Sequence, residues 1–131
     1  MPGTMTNEVI PVVAAVDDDF RCRESIASLL ESAGYVPLVF SSAEEFLQSG
    51  TLAKATCVIT DVRMPGMGGI ELQRRIRRER PTLPVILISG HYDAEVQRTA
   101  IDEGAVDVLY KPFDATDLLT IIQSALANHR I

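Results

Sequence analysis

Five short apolar runs recur along this chain, and four of them end at charged or hydroxyl side chains. Val12 to Val16 leads into Asp17-Asp18-Asp19, and Val58-Ile59-Thr60 leads into Asp61. Val85 to Ile88 leads into Ser89, Val106 to Tyr110 leads into Lys111, and the remaining run is Val36 to Phe40. Short β-branched runs of this kind form strands buried on both faces of a parallel sheet. The stretches between them carry helical periodicity. Cys22, Ile26, Leu29, Leu30 and Ala33 share one face of a first helix that Gly34 stops. Ser42-Ala43-Glu44-Glu45 is a capping box opening a short helix to about Gln48. Further helices are expected from about Ile70 to Glu79, from about Ala94 to Glu103, and after Asp114 with Leu118, Leu119, Ile122, Ala125 and Leu126 inward. Five strand–helix units with short loops predict an open, doubly wound parallel sheet covered by helices on both sides.

Size and charge narrow the function classes. A chain of 131 residues is one domain that buries about two-thirds of its unfolded surface. No apolar stretch approaches the roughly 20 residues of a membrane span. Residues 1–8 lack the basic and apolar segments of a signal peptide and are expected to form a flexible leader, with the domain over 9–131. A net charge of −6 speaks against direct nucleic-acid binding. The basic run Arg74-Arg75-Ile76-Arg77-Arg78-Glu79-Arg80 leaves two readings open. It is either a solvated last helical turn whose cations complement the helix dipole, or a docking patch. Cys22 and Cys57 have no neighbouring histidine pattern, so both are expected to be buried free thiols in a cytoplasmic protein.

If the strands are parallel, their polar ends meet on one rim. A carboxylate such as Asp61 can attack phosphorus and form an acyl phosphate. Asp17 and Asp18 are hard oxygen ligands suited to Mg2+. The three carboxylates carry about −3, and phosphorylation of Asp61 takes the cluster to about −4. A divalent cation and Lys111 bring this back to about −1. Ser89 adds a hydroxyl able to donate to a phosphoryl oxygen, which completes a set for in-line transfer. Each residue also has a plainer role: Asp18 or Asp19 can cap the first helix, Asp61 can belong to a turn, and Lys111 can be a surface lysine. Their joint placement favours the chemical reading.

The stretches Val-Asp-Asp (16–18), Thr-Asp-Val-Arg-Met-Pro-Gly-Met (60–67), Ile-Ser-Gly-His (88–91) and Lys-Pro-Phe (111–113) resemble the receiver domain of bacterial two-component response regulators. The resemblance runs from about Val12 to Leu126. Ser-Ala-Glu-Glu-Phe-Leu (42–47) and Gly-Ala-Val-Asp (104–107) resemble the FixJ-type branch, which usually couples a receiver to a helix-turn-helix DNA-binding domain. The resemblance implies strand order 2-1-3-4-5 and Asp61 as phosphoacceptor from a histidine kinase or phosphotransfer protein. The protein would then be a switch catalysing only its own phosphorylation and dephosphorylation. Mg2+ would be held by Asp18, Asp61 and the Arg63 carbonyl, with Asp17 acting through water. Ser89 and Lys111 would contact the phosphoryl group, and the Lys111–Pro112 bond would be cis. Activated receivers often pair through the fourth helix, fifth strand and fifth helix.

One position departs from the family. Where receivers carry a switching aromatic on the fifth strand, this chain has Val108. Tyr110 shares that face by strand alternation, so either Tyr110 or backbone movement alone is expected to report the state. Arg63 and His91, each two residues past a rim group, are expected either to tune the lifetime of the phosphoryl group or to face solvent. Three rivals fit less well. A dehalogenase-type phosphatase would need an acid where Arg63 stands, and Arg63 cannot donate a proton at ordinary pH. A flavin module would need a phosphate cradle where three acids stand. A receiver used only for docking, without phosphorylation, would not need every group present.

Overall fold

A computed structural model of the chain describes residues 10–129, so the leader proposed over 1–8 lies outside the described residues. The elements run β1 (Val12–Val16), α1 (Phe20–Ser32), β2 (Val36–Phe40), α2 (Ala43–Gln48), β3 (Cys57–Asp61), α3 (Gly69–Glu79), β4 (Val85–Ser89), α4 (Ala94–Asp102), β5 (Asp107–Tyr110) and α5 (Ala115–His129). The strands form one parallel sheet in the order β2-β1-β3-β4-β5, as expected.

Alternation along the strands divides the apolar residues into two cores. Val13, Ala15, Ile59, Ile86 and Ile88 face Ile26 and Leu30 of α1 and Leu118 and Ile122 of α5. Ala14, Val16, Val58, Leu87 and Val108 face Phe46 of α2, Leu72 and Ile76 of α3 and Ala100 of α4. The sheet is sealed on both sides, which is why its strands carry continuous apolar runs. Strand order reverses direction beside β1. The chain after β1 leads to one face and the chain after β3 to the other, which opens a crevice at their carboxyl ends.

Local chemistry sets the helix starts. Asp19 caps α1 by accepting from Arg21 N at 3.0 Å, which resolves the choice between Asp18 and Asp19. Ser42 Oγ accepts from Glu45 N at 3.0 Å, as the capping box predicts. The returning arm differs: Glu45 accepts from Ser41 N rather than from the cap residue itself. β5 starts at Asp107, one residue later than the apolar run suggests; Val106, just before it, is 39% exposed and its N–H donates to Val85 O. α5 continues through His129. No helix among the described residues is long and apolar enough to cross a membrane.

The basic run is largely occupied within the fold. Arg74 makes a two-pronged pair with Glu103 at 2.7 and 2.8 Å, and Arg77 donates to the Glu103 carbonyl. Arg75 pairs with Glu79 one turn on. Arg80 donates to the carbonyls of Leu52 and Ala55. These contacts join α3 to the end of α4 and to the 3-10 turn Thr51–Ala53.

Candidate phosphoacceptor site

The sheet's own hydrogen bonding fixes the rim. Asp17 N donates to Phe40 O, Val62 N to Ile88 O and Lys111 N to Ser89 O, extending each ladder to or just past a rim residue. The side chains of Asp17, Asp61 and Lys111 therefore start from rigid positions at the carboxyl edge.

There the structure brings Asp17, Asp18 and Asp61 together, with one carboxylate oxygen of each within 4.8 Å of the others. Asp17 is fully buried and Asp61 is 7% exposed, while Asp18 is open to solvent. Asp17 Oδ1 accepts from Asp19 N at 2.9 Å. Its other oxygen has Lys111 Nζ at 3.0 Å as ion-pair partner but no well-aligned hydrogen-bond donor. The same ammonium is 3.7 Å from Asp61. One cation thus serves a cluster of three acids. Burial, followed by repulsion from Asp17 and then Asp18, pushes the Asp61 carboxyl up to about 6 despite Lys111. Burial on its own would lower Lys111, but its contacts with Asp17 and Asp61 hold it above its ordinary value. A buried carboxylate oxygen without an aligned donor, in a hard-oxygen set carrying surplus negative charge, fits a divalent cation.

The other expected residues lie around this cluster. Ser89 is buried, but its hydroxyl is turned toward its own loop, donating to His91 O at 2.8 Å and accepting from His91 N at 3.1 Å. The His91 side chain faces solvent. Arg63 is exposed and lies 3.9 Å from Asp93, the residue that caps α4. Val108 is buried against Leu87, and Tyr110 packs against the same core. The Tyr110 hydroxyl donates to Gln97 of α4, and its ring lies 5.4 Å from that of Tyr92. The Lys111–Pro112 bond is cis. Cys22 and Cys57 are free thiols, each pushed up to about 12, chiefly by burial.

Sequence reading missed Asp93, Gln97 and Glu44, whose carboxylate accepts from Met67 N at 2.9 Å. Asp93 carried a findable signal, since an acid just before an amphipathic stretch is a helix cap. Gln97 and Glu44 act across the fold and left no local signature.

The chain belongs to the response regulator receiver domain family, whose model matches residues 13–123. It is 39% identical over 114 residues to the transcriptional regulatory protein FixJ of Bradyrhizobium diazoefficiens, covering 87% of this chain and 56% of that protein. It is 41% identical over 120 residues to the response regulator protein TmoT of Ectopseudomonas mendocina, covering 92% and 54% respectively. The chain thus spans about half the length of these relatives. Among solved structures, a response regulator receiver domain protein from Clostridium thermocellum superimposes with a TM-score of 0.86 at 32% identity, covering 91% of this chain and 96% of that one.

Proposed function

We propose that the chain is a phosphoacceptor switch. Asp61 takes a phosphoryl group from the phosphohistidine of a sensor kinase or phosphotransfer protein, and the resulting change controls an output or partner. The observation that carries this reading is the convergence of three carboxylates at the rim, two of which, Asp17 and Asp61, share the half-buried Lys111 ammonium. In the transfer, an Asp61 oxygen forms a bond to phosphorus as the P–N bond breaks, and the electron pair leaves with the imidazole. Lys111, already between Asp17 and Asp61, pairs with a phosphoryl oxygen as charge gathers there. Asp18, Asp61 and the Arg63 carbonyl would hold Mg2+ directly, with Asp17 acting through water. The ion would supply charge neutralisation at the phosphoryl oxygens.

The test is intact-mass analysis after incubation with acetyl phosphate and Mg2+. The expected result is a gain of one phosphoryl group, absent in Asp61→Asn and absent without the cation. An unlabelled wild type would leave only the docking reading. Chasing the labelled protein after donor removal reads the lifetime. If Arg63 and His91, each two residues past a rim group, tune the lifetime, Arg63→Ala and His91→Ala are each expected to change the decay several-fold. Unchanged decay in both would remove their tuning role.

Switching begins at Ser89. To donate to a phosphoryl oxygen its hydroxyl must leave His91, and the loop before α4 follows. Tyr92 is in that loop and lies against Tyr110, which is bonded to Gln97. This contact chain reaches α4 through Tyr110 rather than through the position that Val108 occupies. Ile101 of α4 and Val106 before β5 are exposed apolar side chains on the side where activated copies would pair. Tyr110→Ala is expected to abolish the phosphorylation dependence of self-association in sedimentation experiments. If dependence persists unchanged, backbone movement alone carries the signal.

A further inference from the structure

The loop from β3 to α3 carries Arg63 and is fastened at two points. At its base, Gly69 N donates to Val62 O at 2.9 Å. Near its apex, Met67 N donates to Glu44 Oε2 at 2.9 Å, a contact between residues 23 apart in sequence. The neighbouring Gly66 has φ +76°, and a Cβ there would lie 2.7 Å from the same carboxylate oxygen. The turn is thus shaped around the Glu44 side chain, in a conformation that favours glycine.

Glu44 is not needed to start its own helix. Ser42 caps α2, and Glu45 makes the returning contact to Ser41. Buried Ala43 and Phe46 anchor α2 to the core, so Glu44 projects from a fixed platform. Its carboxylate is exposed, and accepting from Met67 N draws its pKa below the usual value. An exposed contact of this sort contributes little to global stability. It can, however, restrict where the apex of the loop sits.

We infer that Glu44 is a positioning residue for cation binding. By holding Met67 it fixes the loop that presents the Arg63 carbonyl, although Glu44 itself touches neither the ion nor the phosphoryl group. This rests on the proposed role of the Arg63 carbonyl, and it adds a residue that the rim motifs do not include. The principle is that of outer partners orienting inner ligands, whose loss commonly weakens metal affinity by about 10-fold or more.

The test compares wild type, Glu44→Ala and Glu44→Gln in two measurements: Mg2+ binding by titration calorimetry and hydrogen exchange of the Met67 amide. Glu44→Ala is expected to weaken Mg2+ binding about tenfold and to speed Met67 exchange, with the thermal unfolding midpoint unchanged. Glu44→Gln keeps an acceptor but loses the charge, and is expected to restore both readings to within about twofold of wild type. Equal affinity in wild type and Glu44→Ala would overturn the inference. A glutamine variant as weak as alanine would overturn it too, because the effect would then be one of charge and not of position. A wild type that binds no Mg2+ would instead bring down the metal assignment beneath it, and Met67 exchange would still decide whether the latch exists.

Discussion

Asp61→Asn is expected to be more stable than the wild type in the absence of divalent cations, although it loses the ability to be phosphorylated. Burial and the Asp17 and Asp18 charges push Asp61 from 3.8 to about 6. A shift of that size corresponds to at most about 3 kcal/mol of unfavourable ionisation. Lys111 and the open Asp18 admit solvent to the cluster, so about half of this, ~1.5 kcal/mol, is expected in practice. The sign follows from proton binding. Between about pH 4 and 6 the folded protein keeps a proton on Asp61 that the unfolded chain has released, so wild-type stability falls as pH rises through this interval. The asparagine variant lacks that slope. Urea titrations of metal-free protein should therefore show a gap at pH 7 that closes toward pH 4, and that narrows at pH 7 when Mg2+ is added. A variant no more stable than wild type at pH 7 would show that the cluster is not electrostatically strained.

Gly69→Ala is expected to cost about 3 kcal/mol and to abolish phosphoryl transfer at Asp61. A Cβ at position 69 would lie 2.2 Å from Asp61 O, 2.9 Å from Val62 Cα and 3.0 Å from Asp61 C. These are backbone atoms at the end of a central strand, and no side-chain rotation can relieve the overlap. Either α3 is pushed outward or the Asp61 peptide moves, and the second outcome displaces the proposed nucleophile. Denaturant unfolding measures the first consequence and mass analysis after acetyl phosphate treatment the second. An alanine variant with wild-type stability and labelling would mean that the start of α3 yields without cost.

These two residues also show what could and could not be read from sequence. Asp61 was legible because a β-branched run ending in a carboxylate defines both a strand and its open end. The same pattern located Asp17, Ser89 and Lys111, and helical spacing in Ile26, Leu30, Leu118 and Ile122 assigned one core face correctly. Gly69 left no such signal, since its need for space arises from the Asp61 and Val62 backbone at the end of β3, which the packing of α3 brings against it. Glu44 and Gln97 are exposed or half-buried polar residues on helices, and periodicity says only that such residues face outward. Their partners, Met67 and Tyr110, are set by the packing of whole elements. The Arg74 to Arg80 run was ambiguous for the same reason: its acceptors belong to Glu103, Leu52 and Ala55, which no local pattern connects to it.

That run has a consequence for how other molecules approach. Arg74 and Arg75 face acidic partners, whereas Arg77 and Arg80 are directed at backbone carbonyls, which hold their guanidinium groups in place without neutralising them. The overall charge of −6 nonetheless makes the far field of the molecule acidic. A cationic surface on an incoming protein would be drawn in at a rate that drops as ionic strength rises. Orientation would be sorted near contact, where these guanidinium groups disfavour approach onto α3.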